Sequence, residues 1–260
     1  MATANSPASK EVVTAALLVI GSKILSGRTK DQNIGYIAQY LTALGIDLKE
    51  VRVVGDEERA IVDALNALRH RCTYVFTTGG IGPTHGDITT GCVAKAFGVP
   101  IDHDPEAVAL LQAYFDEIGR EPNAARMRMA RLPKGARMIP NPISRAPGFQ
   151  IGNVYVMAGI PAIMQAMLLE LAPGLGRGVP IRSATVTVRA GEGDIALGLG
   201  AIQKAHQGVV IGSYPFQADD GYAAQIVLRS RDPAALDAAQ TEVRALAESL
   251  VRDGKARGFS

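Results

Sequence analysis

Tyr74-Val-Phe-Thr-Thr-Gly-Gly-Ile-Gly-Pro-Thr-His-Gly-Asp-Ile-Thr-Thr90 is the stretch that decides how this chain folds. An apolar, β-prone run at 74–78 breaks into a glycine-rich turn, and from Ile88 a helical pattern runs to Phe97, where Gly98 and Pro100 end it. Strand, glycine loop and helix in that order form a unit of a parallel sheet. The loop then lies at the strand's carboxyl end, beside a helix start whose amides are unpaired. Working upstream, Thr14-Ala-Ala-Leu-Leu-Val-Ile-Gly21 is apolar on both faces, as a strand covered by helices must be. A loop follows over 22–29. Asp31 then caps a helix with Ile34, Ile37, Ala38, Leu41 and Leu44 at helical spacing, and Gly45 supplies a left-handed stop. Val51-Arg-Val-Val54 reads as a short strand, and a helix opened by Asp56 sets Ile61, Leu65 and Leu68 on one face.

Downstream of the loop, Pro105 begins a helix through Ile118, and 122–131 reads as a further helical stretch. Prolines 133, 140, 142 and 147 predict a long irregular loop between Leu132 and Gly152. Val154-Tyr-Val-Met157 returns to the sheet, and Pro161 starts a helix to about Leu171. The alternation predicts a three-layer α/β/α sandwich with a mostly parallel sheet over 11–175. The glycine- and proline-rich segment 173–180 reads as a linker to a small α+β domain over 181–260, with elements in the order β-α-β-β-α. Met1 to Lys10 reads as a disordered tail, lacking the charged start and apolar middle of a secretory signal.

Composition excludes several classes. With 260 residues, 47% of them hydrophobic, the chain has ample material for a core, and no uninterrupted apolar run is long enough to span a bilayer. The net charge of +2 is spread out, with no basic block, and there is no tryptophan, so neither a nucleic-acid groove nor a base-stacking platform is indicated. Cys72 and Cys92 fit no zinc or disulfide framework, and the expectation is a cytoplasmic protein with two inert thiols.

Chemistry concentrates at Thr78, Gly79, Gly80, Gly82, Pro83 and Thr84, whose amides and hydroxyls suit a phosphate, although a tight structural turn would use the same residues. No Gly-Lys-Ser/Thr ending or Gly-x-Gly-x-x-Gly spacing is present, so this is neither a Walker loop nor a dinucleotide fingerprint. Asp87 is placed either to hold a magnesium-type ion or to cap the following helix, and Asp56 poses the same alternative. His85 neighbours the loop without any metal-ligand spacing, and Met127, Met129, Met164 and Met167 read as core packing.

Taken together, Gly21 with Leu25-Ser-Gly-Arg28, Asp31-x-Asn33, Val54-Gly-Asp-Glu57, Thr77 to Thr84, Asp87-Ile-Thr89, Asn141-Pro, Ala146-Pro-Gly148 and Gly159-Ile-Pro161 give the chain a resemblance. It resembles the molybdopterin-binding domain family of MogA- and MoaB-like proteins, on the branch of the N-terminal part of CinA-like competence/damage-inducible proteins. The small C-terminal unit is similar to the second domain of those CinA-like relatives. The resemblance implies a phosphate-bearing molybdopterin or nucleotide on the glycine loop, with Ser26, Asn33, Pro147 and Gly148 among the ligand-binding positions. It further implies Asp87 as metal ligand, with Asp56 beside it, for a divalent metal (Mg, Mn or Co) acting on the pyrophosphate of ADP-ribose or FAD-like dinucleotides. A homo-oligomer, dimer or trimer, is implied too. The chain departs from the family where Gly86 replaces the first acid of a paired Asp-Asp and Ser22-Lys23 replaces a glutamate. These departures favour the alternative of a non-catalytic binding protein with a decayed metal site.

Overall fold

The computed structural model describes residues 12–219 and 221–260; the tail expected at Met1 to Lys10 lies outside them. Two compact units divide at Gly178/Val179. In the first, the order is β1 (Thr14–Ile20), α1 (Ser22–Leu25), α2 (Asn33–Ala43), β2 (Asp47–Val54), α3 (Glu58–Arg69), β3 (Tyr74–Thr78) and α4 (Thr89–Phe97). There follow β4 (Ile101–His103), α5 (Pro105–Glu117), α6 (Ala124–Met127), β5 (Arg131–Pro133), β6 (Arg137–Ile139), β7 (Gly148–Ile151), β8 (Val154–Met157) and α7 (Pro161–Leu171). The sheet order is β2-β1-β3-β8-β7-β6, parallel from β2 to β8 and antiparallel beyond.

Strand β1 shows why the sandwich has three layers. Its alternate residues Ala16, Leu18 and Ile20 pack with Ile61, Leu65 and Leu68 of α3 and with Leu111 of α5. Ala15, Leu17 and Val19 point the other way, against Ile37 and Leu41 of α2 and Met164 and Leu168 of α7. A strand with both faces covered needs an unbroken apolar run. Each fully buried leucine or isoleucine in these layers contributes about 1.5–3 kcal/mol of transfer free energy. Gly45 at φ 74° and Gly98 at φ 65° take the left-handed stops after α2 and α4.

The structure corrects several expectations. Residues 132–152 are not one irregular loop but hold most of β5 and all of β6 and β7. The stretch 122–131 is helical only through α6 and a short 3-10 turn at 128–130, and Arg131 already belongs to β5. The loop after β1 contains the single turn α1, and β2 begins at Asp47 rather than Val51.

The second unit comprises β9 (Arg182–Val188), α8 (Glu192–Ala205), β10 (Val210–Ala218), β11 (Gly221–Ser230) and α9 (Pro233–Arg252), with antiparallel order β10-β11-β9. Val186, Val188, Ala224, Ile226 and Leu228 meet Ile195 and Leu199 of α8 and Leu236 and Val243 of α9, so both helices lie on one face. At the outer edge of β10, the Gln203 side-chain amide donates to Val209 O at 2.6 Å and accepts from Ile211 N at 2.8 Å. Pro215 removes one further donor from β10. On the β9 side, Thr187 and Ser260 exchange two backbone bonds of 2.9 Å, and Arg257 N donates to Arg189 O at 2.8 Å.

Candidate functional site

The chain leaves β1 for β2 on one side and then returns to β3 on the other, so the order reverses between β1 and β3. In an open parallel sheet the crevice at such a reversal, beyond the strands' carboxyl ends, is where ligands bind. A cavity of about 570 Å³ sits at the ends of these strands. Its walls come from the loop after β1 (Gly21, Lys23, Thr29, Asp31), the glycine loop after β3, Asp56 after β2, the 158–161 loop after β8, and Asn141 to Ala146. The size suits a nucleotide-scale ligand.

The glycine loop is held by its neighbours. Gly79 adopts φ 101°, and a Cβ there would lie 2.2 Å from Ile20 O; at Gly80, φ 67°, it would lie 2.1 Å from Thr89 Oγ1. Only glycine permits that approach. Gly79 N donates to Met157 O at 3.1 Å and Thr84 N to the Asp87 carboxylate at 2.9 Å, while Pro83 has no N–H. This leaves the consecutive amides of Gly80, Ile81 and Gly82, which have no partner among the described residues. Three adjacent unspent donors on residues of a cavity wall are the kind of group that anion-binding concavities use. The hydroxyl of Thr78 and Oδ1 of Asn33, both on the wall, are buried without partners, as are the hydroxyls of Thr77, in the same strand, and Thr89, just after the loop. Buried polar atoms are normally paired, so their clustering sets this corner apart from the rest of the core.

Neither aspartate caps a helix. Asp87 Oδ2 accepts from Thr84 N and, at 2.5 Å, from Thr84 Oγ1, closing the loop on itself. Asp56 Oδ2 accepts from Ser22 N at 2.9 Å, while Ser22 Oγ accepts from Asp56 N at 3.1 Å, a reciprocal clasp joining the loops after β1 and β2. The N-cap positions of α3 and α4 are Glu57 and Ile88, and neither helix has a side-chain cap. No cluster of three His, Cys, Asp or Glu residues suited to a metal exists among the described residues. With glycine at position 86 and no such cluster among the described residues, Asp56 and Asp87 alone supply fewer side-chain oxygens than a divalent-metal centre built by the protein draws on.

Of the residues singled out in the sequence, Thr78, Gly79, Gly80, Gly82, Pro83, Thr84, Asn33, Asp56 and Asp87 all line the cavity. Asn33, only 3% exposed, also ties α2 to the 158–161 loop through Nδ2 to Gly159 O at 2.9 Å. Ser26, His85, Pro147 and Gly148 are not on the wall. The Ser26 hydroxyl turns back to Lys23 O at 3.3 Å. Gly148 is inside β7, where a Cβ would meet Val156 O at 2.4 Å, so its glycine serves strand packing. The apolar wall of Ile24, Ile160, Ile163 and Met129 escaped sequence reasoning. Apolar residues carry no binding signal of their own, although Ile160, 61% exposed, lies three residues beyond the end of β8. Met129 packs against the core and lines the cavity as well.

Comparison with known proteins agrees with this geometry. The family described as "Probable molybdopterin binding domain" matches residues 16–177, and that described as "FAD synthase, middle domain" matches 180–253. A protein of Pyrobaculum arsenaticum is similar along nearly all of both chains, 32% identical over 250 residues, 93% of this chain and 94% of its own length. A CinA-like protein of Desulfosudis oleivorans is 36% identical over 185 residues, covering 67% of this chain but only 45% of its own, so this chain spans less than half of that relative. Among solved structures, the protein CinA of unknown function from Thermoplasma acidophilum is similar with TM-score 0.58 and 30% identity, over 63% of this chain and 98% of that one. By its sequence motifs, its sheet and its matched residues, the chain belongs to the molybdopterin-binding domain family.

Proposed function

We propose that the chain binds a phosphate-bearing nucleotide- or pterin-type small molecule, with a phosphate on the amides of Gly80, Ile81 and Gly82 and the planar ring against Ile24, Ile160 and Ile163. The observation that carries this reading is the run of three unspent amides on the wall of a cavity at the sheet's reversal point. Lys23, also on the wall, adds a cation for the phosphate. The sequence relatives support a ligand of this kind, and a homo-oligomer, dimer or trimer, belongs to the same proposal.

Pyrophosphate cleavage on ADP-ribose or FAD-like dinucleotides is the second reading, favoured by Asp56 and Asp87 lining one cavity. Because glycine stands at position 86 and the described residues hold no cluster of three metal-ligating side chains, we place binding first. Titration of the nitrogen-15-labelled chain with ADP, without added metal, is expected to shift the amides of Gly80, Ile81 and Gly82. Shifts confined to other surfaces would sink the proposal. Release of AMP from ADP-ribose with magnesium, manganese or cobalt, abolished in Asp87→Ala, would instead establish the second reading.

A further inference from the structure

A second cavity, of about 380 Å³, shares Ile81, Gly82 and Asp87 with the first, so the glycine loop is a wall common to both. Arg128, from the 3-10 turn, and Arg131, at the start of β5, line it. Neither guanidinium has a hydrogen-bond or ion-pair partner among the described residues. Of the acids on the same wall, Glu58 is paired with Lys95, while Asp87 keeps its negative charge and takes hydrogen bonds only from the neutral Thr84, so two guanidiniums face one unpaired carboxylate. Two guanidiniums against one unpaired carboxylate leave the cavity with net positive charge, which is complementary to an anion. The planar fork of arginine matches the oxygens of a phosphate in a way a lysine point charge does not.

We infer that Arg128 and Arg131 form a second site for a phosphate-type anion, divided from the first by the Ile81–Asp87 segment. This rests on the reading of the glycine loop and deepens it: the two sites share Ile81, Gly82 and Asp87, and a ligand carrying two phosphate groups would have to pass that segment to fill both. A free phosphate ion would satisfy the same guanidiniums, and the choice of probe separates these sources.

The test titrates the labelled full chain with inorganic orthophosphate and with tripolyphosphate at about 0.15 M salt, where unspecific surface attraction is screened beyond about 8 Å. Four proteins are compared: the unaltered chain, R128A/R131A, the charge-keeping R128K/R131K, and R59A/R120A, which loses the same charge elsewhere. In the unaltered chain both amide sets, Gly80 to Gly82 and Thr90 to Gly91, are expected to shift. R128A/R131A should lose the Thr90 and Gly91 response and keep the other, R59A/R120A should keep both, and R128K/R131K should retain a weakened response at Thr90 and Gly91. Tripolyphosphate binding about tenfold tighter than orthophosphate, with the advantage lost in R128A/R131A, identifies two phosphates of one ligand. Equal affinities with the same loss identify a free ion at this site. Persistence of the Thr90 and Gly91 shifts in R128A/R131A, or their absence in the unaltered chain while Gly80 to Gly82 respond, overturns the inference. Silence at Gly80 to Gly82 alone rejects the first site and leaves the second standing.

Discussion

At Gly79 a single methyl group would meet a backbone oxygen rather than a movable side chain, Ile20 O at 2.2 Å, and would have to do so at φ 101°. Gly79→Ala is therefore expected to cost roughly 3 kcal/mol, the sum of backbone strain and overpacking, read as a lower urea midpoint at unchanged slope. Gly80→Ala, whose Cβ would fall 2.1 Å from the Thr89 hydroxyl, should cost less because Thr89 can turn, yet should weaken phosphate binding by misplacing the first of the three amides. The outcome that contradicts this is full phosphate affinity in Gly80→Ala. Cys92 makes a different prediction. Burial, reinforced by the Glu58 carboxylate, pushes its thiol from 9.0 up to about 11. In the unfolded chain the thiol ionises first, so its contribution to stability is complete below about pH 9 and is lost as the pH rises toward 11. Urea melts at pH 8 and pH 10.5 should show a smaller fall for Cys92→Ala than for the unaltered protein.

Helix α5 shows what an element takes from its first residue. The Asp104 carboxylate accepts from the amides of Glu106 and Ala107, both at 3.0 Å, with Pro105 at the first helical position. Asp104→Ala should cost about 1 kcal/mol, visible as a lowered thermal midpoint, and should leave ligand binding unchanged. Elements with this kind of local grammar were legible in the sequence: β1 from its unbroken apolar run, α3 from the spacing of Ile61, Leu65 and Leu68, and the glycine loop from its place between strand and helix. The 132–152 region was not. Its strands have only three or four residues, too short for a period to register, and prolines stand in or beside them: Pro133 ends β5, Pro140 follows β6 and Pro147 precedes β7. That Asp56 and Asp87 lie at the carboxyl ends of the strands, where the cavity is, was legible, but their bonding was not. The partner of Asp56 is 34 residues away in sequence, and Thr84 and Asp87 close a loop where a helix cap was equally consistent with the sequence.

The whole molecule is two hydrophobic bodies in one chain, the cores on the two faces of the large sheet and the separate core of β9 to α9. Residues 179–260, produced alone, are expected to unfold cooperatively in urea, since their core draws on no residue before 179. A non-cooperative melt of that fragment would show that it depends on the rest. Its sheet is also guarded on both sides, at the start of β10 and along β9. The Gln203 amide stands in for a neighbouring peptide group against Val209 and Ile211, Pro215 offers no donor, and residues 257–260 run along β9. A ribbon of three strands with raw borders would recruit further copies and grow into fibres. Here a side chain and four terminal residues act as hems, so crowding this unit to high concentration should produce viscosity before it produces filaments, and removing the hem at Gln203 is where fraying into filaments would begin.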